Sequence, residues 1–272
     1  MNNFKMLESD HLIHGITTRL GGVSTGAYSS MNTGIFGDDD RDKVLENIRR
    51  ALSELGTDAK IIILAQQVHS ENVVIIDEKT NFDSMERVEL ENTPLDGFEM
   101  YISAVTDGLM TNRKDVILVT FYADCVPLIL YDPVKHVVAT VHSGWVGTAK
   151  AVGVEAVRKM VSEYGSSESD IKVGIGHSAG ICCYEIGDDV IDALKMKFSV
   201  DALRDFVIPK RYGKYMIDLK EANAKLFRDA GILQKHLEID SDCTICNPEK
   251  YHSHRRAKGG KRGMMSAIVQ LK

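Results

Sequence analysis

The sequence is short of the residues that build disulfide scaffolds, linkers and membrane spans. Its 272 residues include five cysteines, an odd and sparse count that excludes a disulfide framework and suits a reducing compartment. Five prolines are scattered along the chain. No Pro/Gly/Ser-rich linker and no internal repeat breaks it, so a single domain over 1–272 is expected. The longest strongly apolar run, 116–123, falls far short of a membrane span, and no membrane partner is expected. The N-terminal MNNFKMLESDHLIHG has neither a continuous apolar segment nor a small-residue cleavage site, which points to a cytoplasmic protein. Positive charge is in deficit: 33 Lys and Arg against 39 Asp and Glu leave a net charge of -6. That balance argues against non-specific nucleic-acid binding, and no nucleic-acid partner is expected.

Enough apolar sequence is present for a large core. Three segments carry helical periodicity with matching stops: 40–55 before Gly56, 148–164 before Gly165, and 218–230 before Gly231. In the third, Asp218 and Glu221 stand at capping-box spacing. Short β-branched runs predict strands at 13–18, 61–65, 72–76, 116–122, 126–131, 137–141, 171–175 and 264–270. Several are apolar on both faces, so their sheet should be covered on both sides, in an α/β or α+β layered fold. The acidic stretch 78–103 lacks periodicity and reads as a long exposed connection.

Chemistry-bearing residues fall at the ends of these strands. His69 follows IILAQQV, Cys125 lies between two apolar runs in FYADCVPLIL, and His142 ends VVATV. One thiolate and two imidazoles suit zinc (Zn2+), and three protein ligands leave the fourth position open, as catalytic sites require. Asp124 is a candidate to orient an imidazole or to move protons. Spacing alone leaves open a buried thiol with two satisfied histidines. Arg19, in TTRLGG, and Arg255 and Arg256, in HSHRRAKGGKR, are candidates for holding an anion, since guanidinium donors match phosphate geometry; a solvated basic loop is the plainer reading of the second cluster. The segment GIGHSAG is either an anion-binding loop or a structural turn; it lacks the ending of a P-loop.

Several segments in order carry a resemblance: HGITTRLGGVST with SSMNTG, QVHSENVV, TDGLMT, ADCVPLILYD, VHSGWVGTA, YEIG, then CTIC, YHSHRR and GKRGMMSAIVQL. In these the chain resembles the YfiH-like, laccase-domain purine nucleoside phosphorylases over nearly its whole length. The resemblance implies an α/β fold, a mixed β-sheet sandwich with helices on both outer faces in α/β/β/α layers. It also implies zinc on His69, Cys125 and His142, with Cys125, His142 and Asp124 at the catalytic centre and Arg19, Arg255 and Arg256 at the substrate. The implied reaction is phosphorolysis of adenosine, inosine and methylthioadenosine by phosphate, with adenosine deamination as a second activity. The chain departs from the family at Val146, where an Arg is usual, at His177, where a Pro is common, and at Glu71, where a small residue is common. These changes bear on substrate range and phosphate handling rather than on the metal.

Other classes compete. A multicopper laccase needs many imidazoles beside a cysteine, and only His252 and His254 form an H-x-H pair. A zinc nucleobase deaminase would use His69-Ser70-Glu71 as H-x-E with Cys243 and Cys246, but Asp242 replaces the required Pro. That C-x-x-C pair reads instead as structural or as a second metal site. A metal-free cysteine hydrolase, with Cys125 as nucleophile and His142 as base, is the main alternative; metal content separates it from the zinc reading.

Overall fold

In the computed structural model, which describes residues 1–272, two six-stranded sheets pack face to face. The first runs β1 (Leu12–Ile16), β15 (Met265–Leu271), β7 (Val116–Tyr122), β2 (Ile61–Ala65), β5 (Glu99–Ser103) and β4 (Glu86–Arg87). The second runs β14 (Leu237–Ile239), β10 (Lys172–Ile175), β8 (Val126–Asp132), β9 (Val137–Ser143), β6 (Gly108–Thr111) and β3 (Val73–Ile76). Both are mixed: β2 is parallel to β5 and β7, while β8 and β9 are antiparallel. A small third sheet joins β11 (Glu185–Ile186), β13 (Tyr215–Ile217) and β12 (Val207–Pro209). Six α-helices complete the chain: α1 (Arg41–Leu55), α2 (Trp145–Lys150), α3 (Val152–Tyr164), α4 (Asp188–Leu194), α5 (Val200–Leu203) and α6 (Leu219–Asp229).

Strand alternation divides the apolar residues among three cores. In β2, Ile63 and Ala65 meet Leu118, Val269, Ile129 and Tyr131 between the sheets. The intervening Ile62 and Leu64 face Val44, Ile48 and Leu52 of α1. Beyond the second sheet, Ala156, Val157 and Met160 of α3 and Phe227 of α6 pack on Leu130, Val137 and Val173. Each central strand is therefore buried on both faces, which is why these strands read as unbroken apolar runs. The α/β/β/α layering is present.

Helix ends follow the local chemistry. The Asp40 carboxylate accepts from the Lys43 amide at 3.2 Å, and Gly56 takes the left-handed conformation that closes α1, at φ 69°. Asp218 accepts from the Lys220 and Glu221 amides, at 3.0 and 3.1 Å. The Glu221 carboxylate pairs with Arg228 instead of returning to the cap, so only half the capping box forms.

Two expectations need correction. The helix expected over 148–164 is broken at Ala151, whose φ of 60° ends α2 and starts α3 on a new axis. The stretch 78–103 is no exposed connection: it holds β4 and β5, and Leu90, Leu95 and Met100 are buried in the core beneath α1. Strands of two to five residues separated by turns are too short for periodicity to reveal. The same applies to β11 to β13, α4 and α5.

Candidate metal centre

The centre lies at the seam between the two sheets. Strand β7 ends the first sheet at Tyr122 and β8 begins the second at Val126, so Ala123, Asp124 and Cys125 carry the chain across. Asp124 makes that turn at φ 87°, a conformation Asp tolerates better than most side chains. Register then brings the rest together. Val126 pairs with Ser143, which sets Cys125 beside the end of β9. Gly108 pairs with Val141, and the His142 amide donates to the Asp107 carbonyl at 2.7 Å.

The donor atoms of His69, Cys125 and His142 all lie within 4.8 Å of one another. The Cys125 Sγ is 4.0 Å from the His69 Nε2, and the two imidazoles meet edge to face with centroids 4.9 Å apart. His142 is buried, Cys125 half-buried and His69 exposed, so the cluster opens to solvent on one side. Burial by itself would raise the Cys125 thiol and lower His142. Burial is the largest single influence on each, but their mutual charge, together with the hydrogen bonds between them, from His69 to the thiol and from His142 to Asp107, outweighs it, holding the thiol below and His142 above their ordinary values. Three soft or borderline donors with one open side are the set zinc takes in catalytic centres.

Asp107 is the residue that organises these ligands. It is fully buried. Its Oδ1 accepts from His142 Nδ1 at 2.8 Å and from the His69 amide at 3.1 Å. Its Oδ2 accepts from the Ser70 amide at 2.6 Å, the Ser70 hydroxyl at 2.8 Å and the Val68 amide at 3.2 Å. The carboxylate on Nδ1 turns the His142 Nε2 lone pair toward Cys125, as outer partners of metal-bound histidines do. The amide bonds hold His69 at φ 59°. Burial pushes the Asp107 carboxyl up, but the bonds from His142 and Ser70 prevail and hold it well below the usual carboxylate range.

The orienting role expected of Asp124 therefore belongs to Asp107. The Asp124 carboxylate accepts from Thr244 Oγ1 at 2.6 Å, Ser253 Oγ at 2.9 Å and the Arg255 amide at 2.7 Å. It ties the HSHRR loop to the seam as an acceptor of all three bonds. Asp107 stands in TDGLMT, immediately before an apolar strand, which was its only signal in the sequence.

The arginines divide. Arg19 donates to the Ser29 carbonyl from Nε and Nη2, at 2.9 and 2.6 Å, and to the Pro248 carbonyl at 2.6 Å. Arg256 donates to the carbonyls of Thr244, Ile245 and Tyr251, at 2.8, 3.2 and 2.6 Å. Both guanidinium groups are spent on loop backbone. Arg255 is exposed, donates to the Glu185 carbonyl at 2.9 Å and lies over the Tyr184 ring at 4.9 Å. His254, the residue before it in the same loop, is also exposed, and partial burial together with the charges of Arg262 and Arg255 lowers its pKa. Arg262 was not singled out in the sequence, although its Nε is buried without a partner. GIGHSAG serves packing: a Cβ on Gly174 would lie 2.3 Å from the Phe4 ring, and one on Gly176 2.3 Å from Ile16.

Gly144 supplies the space for the ligands. A Cβ there would sit 3.0 Å from both the Cys125 Sγ and the His69 Cδ2, although its backbone, at φ -74°, is ordinary. Gly144→Ala is expected to fold normally and to weaken metal binding at this cluster by roughly tenfold or more, as misorientation of metal ligands does. Competition with a chelator measures this, and unchanged affinity would show that the ligands do not need that space.

The family model described as multi-copper polyphenol oxidoreductase laccase matches residues 13–272. The chain is 34% identical to the protein named purine nucleoside phosphorylase YlmD of Bacillus subtilis, covering 96% of this chain and 89% of that one. It is 30% identical to a protein named adenosine deaminase from an unknown prokaryotic organism, over 88% of this chain and 87% of the other. The crystal structure of YfiH from Bacillus licheniformis superposes with a TM-score of 0.84 at 32% identity, covering 96% and 93% of the two chains. YlmD from Geobacillus stearothermophilus also superposes at 0.84, with 30% identity, covering 97% and 93%.

Proposed function

This chain belongs to the multi-copper polyphenol oxidoreductase laccase family, and from that premise we propose that it is a zinc-dependent purine nucleoside phosphorylase. The observation that carries the reading is the pair of imidazoles directed at one half-buried thiol, with Asp107 fixing both histidines. The family's descriptive name implies several copper ions, and this centre offers one cysteine and two histidines. Substrates under this reading are adenosine, inosine and methylthioadenosine together with phosphate, with adenosine deamination as a second activity. The relatives named purine nucleoside phosphorylase and adenosine deaminase support that pairing.

Phosphorolysis breaks the C1′–N9 bond of the nucleoside. A phosphate oxygen forms the new bond to C1′, and the purine leaves with the electron pair and takes up a proton. Bound zinc would supply a Lewis acid on the open side of the cluster. His69, Cys125 and His142 would hold it, and Asp107 keeps their donor atoms aimed. Phosphate needs cations that are not already spent, which selects Arg255 and Arg262 over Arg19 and Arg256. His254 is exposed beside Arg255 in the same loop and is the group there that can exchange a proton with the leaving base, a task imidazole suits.

Loss of one charge-assisted bond to an anion costs about 1.5–3 kcal/mol, or roughly ten- to hundredfold in affinity. Arg255→Ala and Arg262→Ala are each expected to raise the Michaelis constant for phosphate by that factor, with zinc content kept. Arg19→Ala is expected to act on stability. Phosphate saturation curves for the three variants test this, and unchanged curves for both Arg255→Ala and Arg262→Ala would remove the loop from the phosphate site.

Cys125, His142 and Asp107 also stand in the order of a cysteine-hydrolase triad, which favours a second reading with Cys125 as nucleophile. A hydrolase of that type needs one base and leaves His69 without a role. Retention of full activity after zinc removal by a chelator would favour it.

A further inference from the structure

We propose that the chain holds a second zinc ion, closed and structural, on Cys182, Cys183, Cys243 and Cys246. The four sulfurs all lie within 4.8 Å of one another. The Cys246 Sγ is 3.3 Å from that of Cys182 and 3.1 Å from that of Cys183. With Zn–S bonds of about 2.3 Å, tetrahedral geometry sets the sulfurs about 3.8 Å apart, so an ion fits after the sulfurs spread by less than an ångström. Four thiolates with no imidazole and no open position match a structural zinc site, and thiolate softness excludes magnesium and calcium.

The backbone is shaped for the ligands. Cys243 and Cys246 form a C-x-x-C turn whose intervening carbonyls, of Thr244 and Ile245, both accept from Arg256. The Gly180 amide donates to the Cys243 Sγ at 3.2 Å, the type of bond that supports a metal-bound thiolate. A Cβ on Gly180 would lie 3.0 Å from the Cys243 Cβ and 3.4 Å from the Sγ of Cys182, so a larger residue would press the two loops apart by a few tenths of an ångström. Ser178 and Cys243 form an isolated parallel bridge, and the Thr244 amide donates to the Ser178 carbonyl at 2.9 Å.

The role follows from what the site joins. It fastens the loop after β10 to the C-x-x-C segment. Thr244, inside that turn, donates to Asp124, the neighbour of Cys125. The second ion would brace the wall beside the first centre without facing substrate.

Zinc analysis on the intact protein purified under reducing conditions tests the assignment. Wild type is expected to carry about two zinc ions per chain, and Cys125→Ala and the Cys243→Ser/Cys246→Ser double variant about one each. Cobalt loaded into Cys125→Ala should show the intense visible bands and the sulfur-to-metal charge transfer of a tetrahedral tetrathiolate, absent when Cys243→Ser and Cys246→Ser are added to Cys125→Ala. Should the double variant fail to fold, the cobalt spectrum of Cys125→Ala decides alone. A wild type with one zinc that Cys125→Ala loses would overturn the proposal. So would a disulfide between Cys246 and Cys182 or Cys183 that persists under reducing conditions.

Discussion

Cys125→Ala is expected to remove about one zinc equivalent per chain and to lower phosphorolysis by more than roughly a hundredfold, while the fold survives. The thiolate is the only anionic ligand of its cluster. Without it, two imidazoles remain, one of them exposed, and two neutral donors hold zinc weakly. The side chain is small and half-buried at the rim of the core between the sheets, so its truncation opens no large cavity. Circular dichroism and elemental analysis, read with the rate, separate a metal defect from a folding defect. Full activity in a variant that has lost that zinc would refute the assignment of this centre.

The second large effect is expected at Asp107. Asp107→Ala removes an acceptor serving five donors, three of them the amides of Val68, His69 and Ser70. Only the His142 bond is fully buried; that donor left unpaired costs about 1–3 kcal/mol, and the half-buried amides cost less because water can reach them, against the roughly 5–15 kcal/mol that stabilises a typical domain. Asp107→Asn keeps the shape but turns an NH2 toward amides that also donate. It is expected to fold with reduced stability and to bind zinc roughly ten- to hundredfold more weakly. The sign of the pH dependence follows from the depressed carboxyl. Its stabilisation is present above the unfolded value of about 3.9 and is lost as pH falls from there toward the lower folded value. Acid unfolding of wild type and Asp107→Asn compares the two directly. If wild type lost no more stability than the variant over that range, Asp107 would not be the hub the hydrogen bonds describe.

The sequence reveals most where one residue determines one physical outcome. Strands buried on both faces appear as apolar runs, so β2, β7, β8 and β9 could be read with their ends close to the observed ones. Gly56, Gly165 and Asp218 mark helix ends for stereochemical reasons, and all three do so in the structure. His69, Cys125 and His142 stand at strand ends, and register brings them together. What stayed hidden depends on pairing between distant segments. Asp107 and Asp124 look alike in sequence, each beside a strand. Only the pairing of β6 with β9 puts Asp107 under His142, and only the loop from Thr244 to Arg255 claims Asp124. The arginines show the same limit: charge is visible in a sequence, but the carbonyls that consume Arg19 and Arg256 are not. The cysteines of GICCYE and CTIC are 60 or more residues apart, and nothing local says that their loops meet.

The most direct test of phosphorolysis measures base release from inosine by the zinc-loaded protein, with and without phosphate, with hypoxanthine and ribose 1-phosphate quantified together. Equal amounts of the two products are expected, with formation that saturates with phosphate, and loss of both on chelation with recovery when zinc is restored. Absence of ribose 1-phosphate at saturating phosphate, or base release indifferent to both phosphate and chelator, would contradict phosphorolysis.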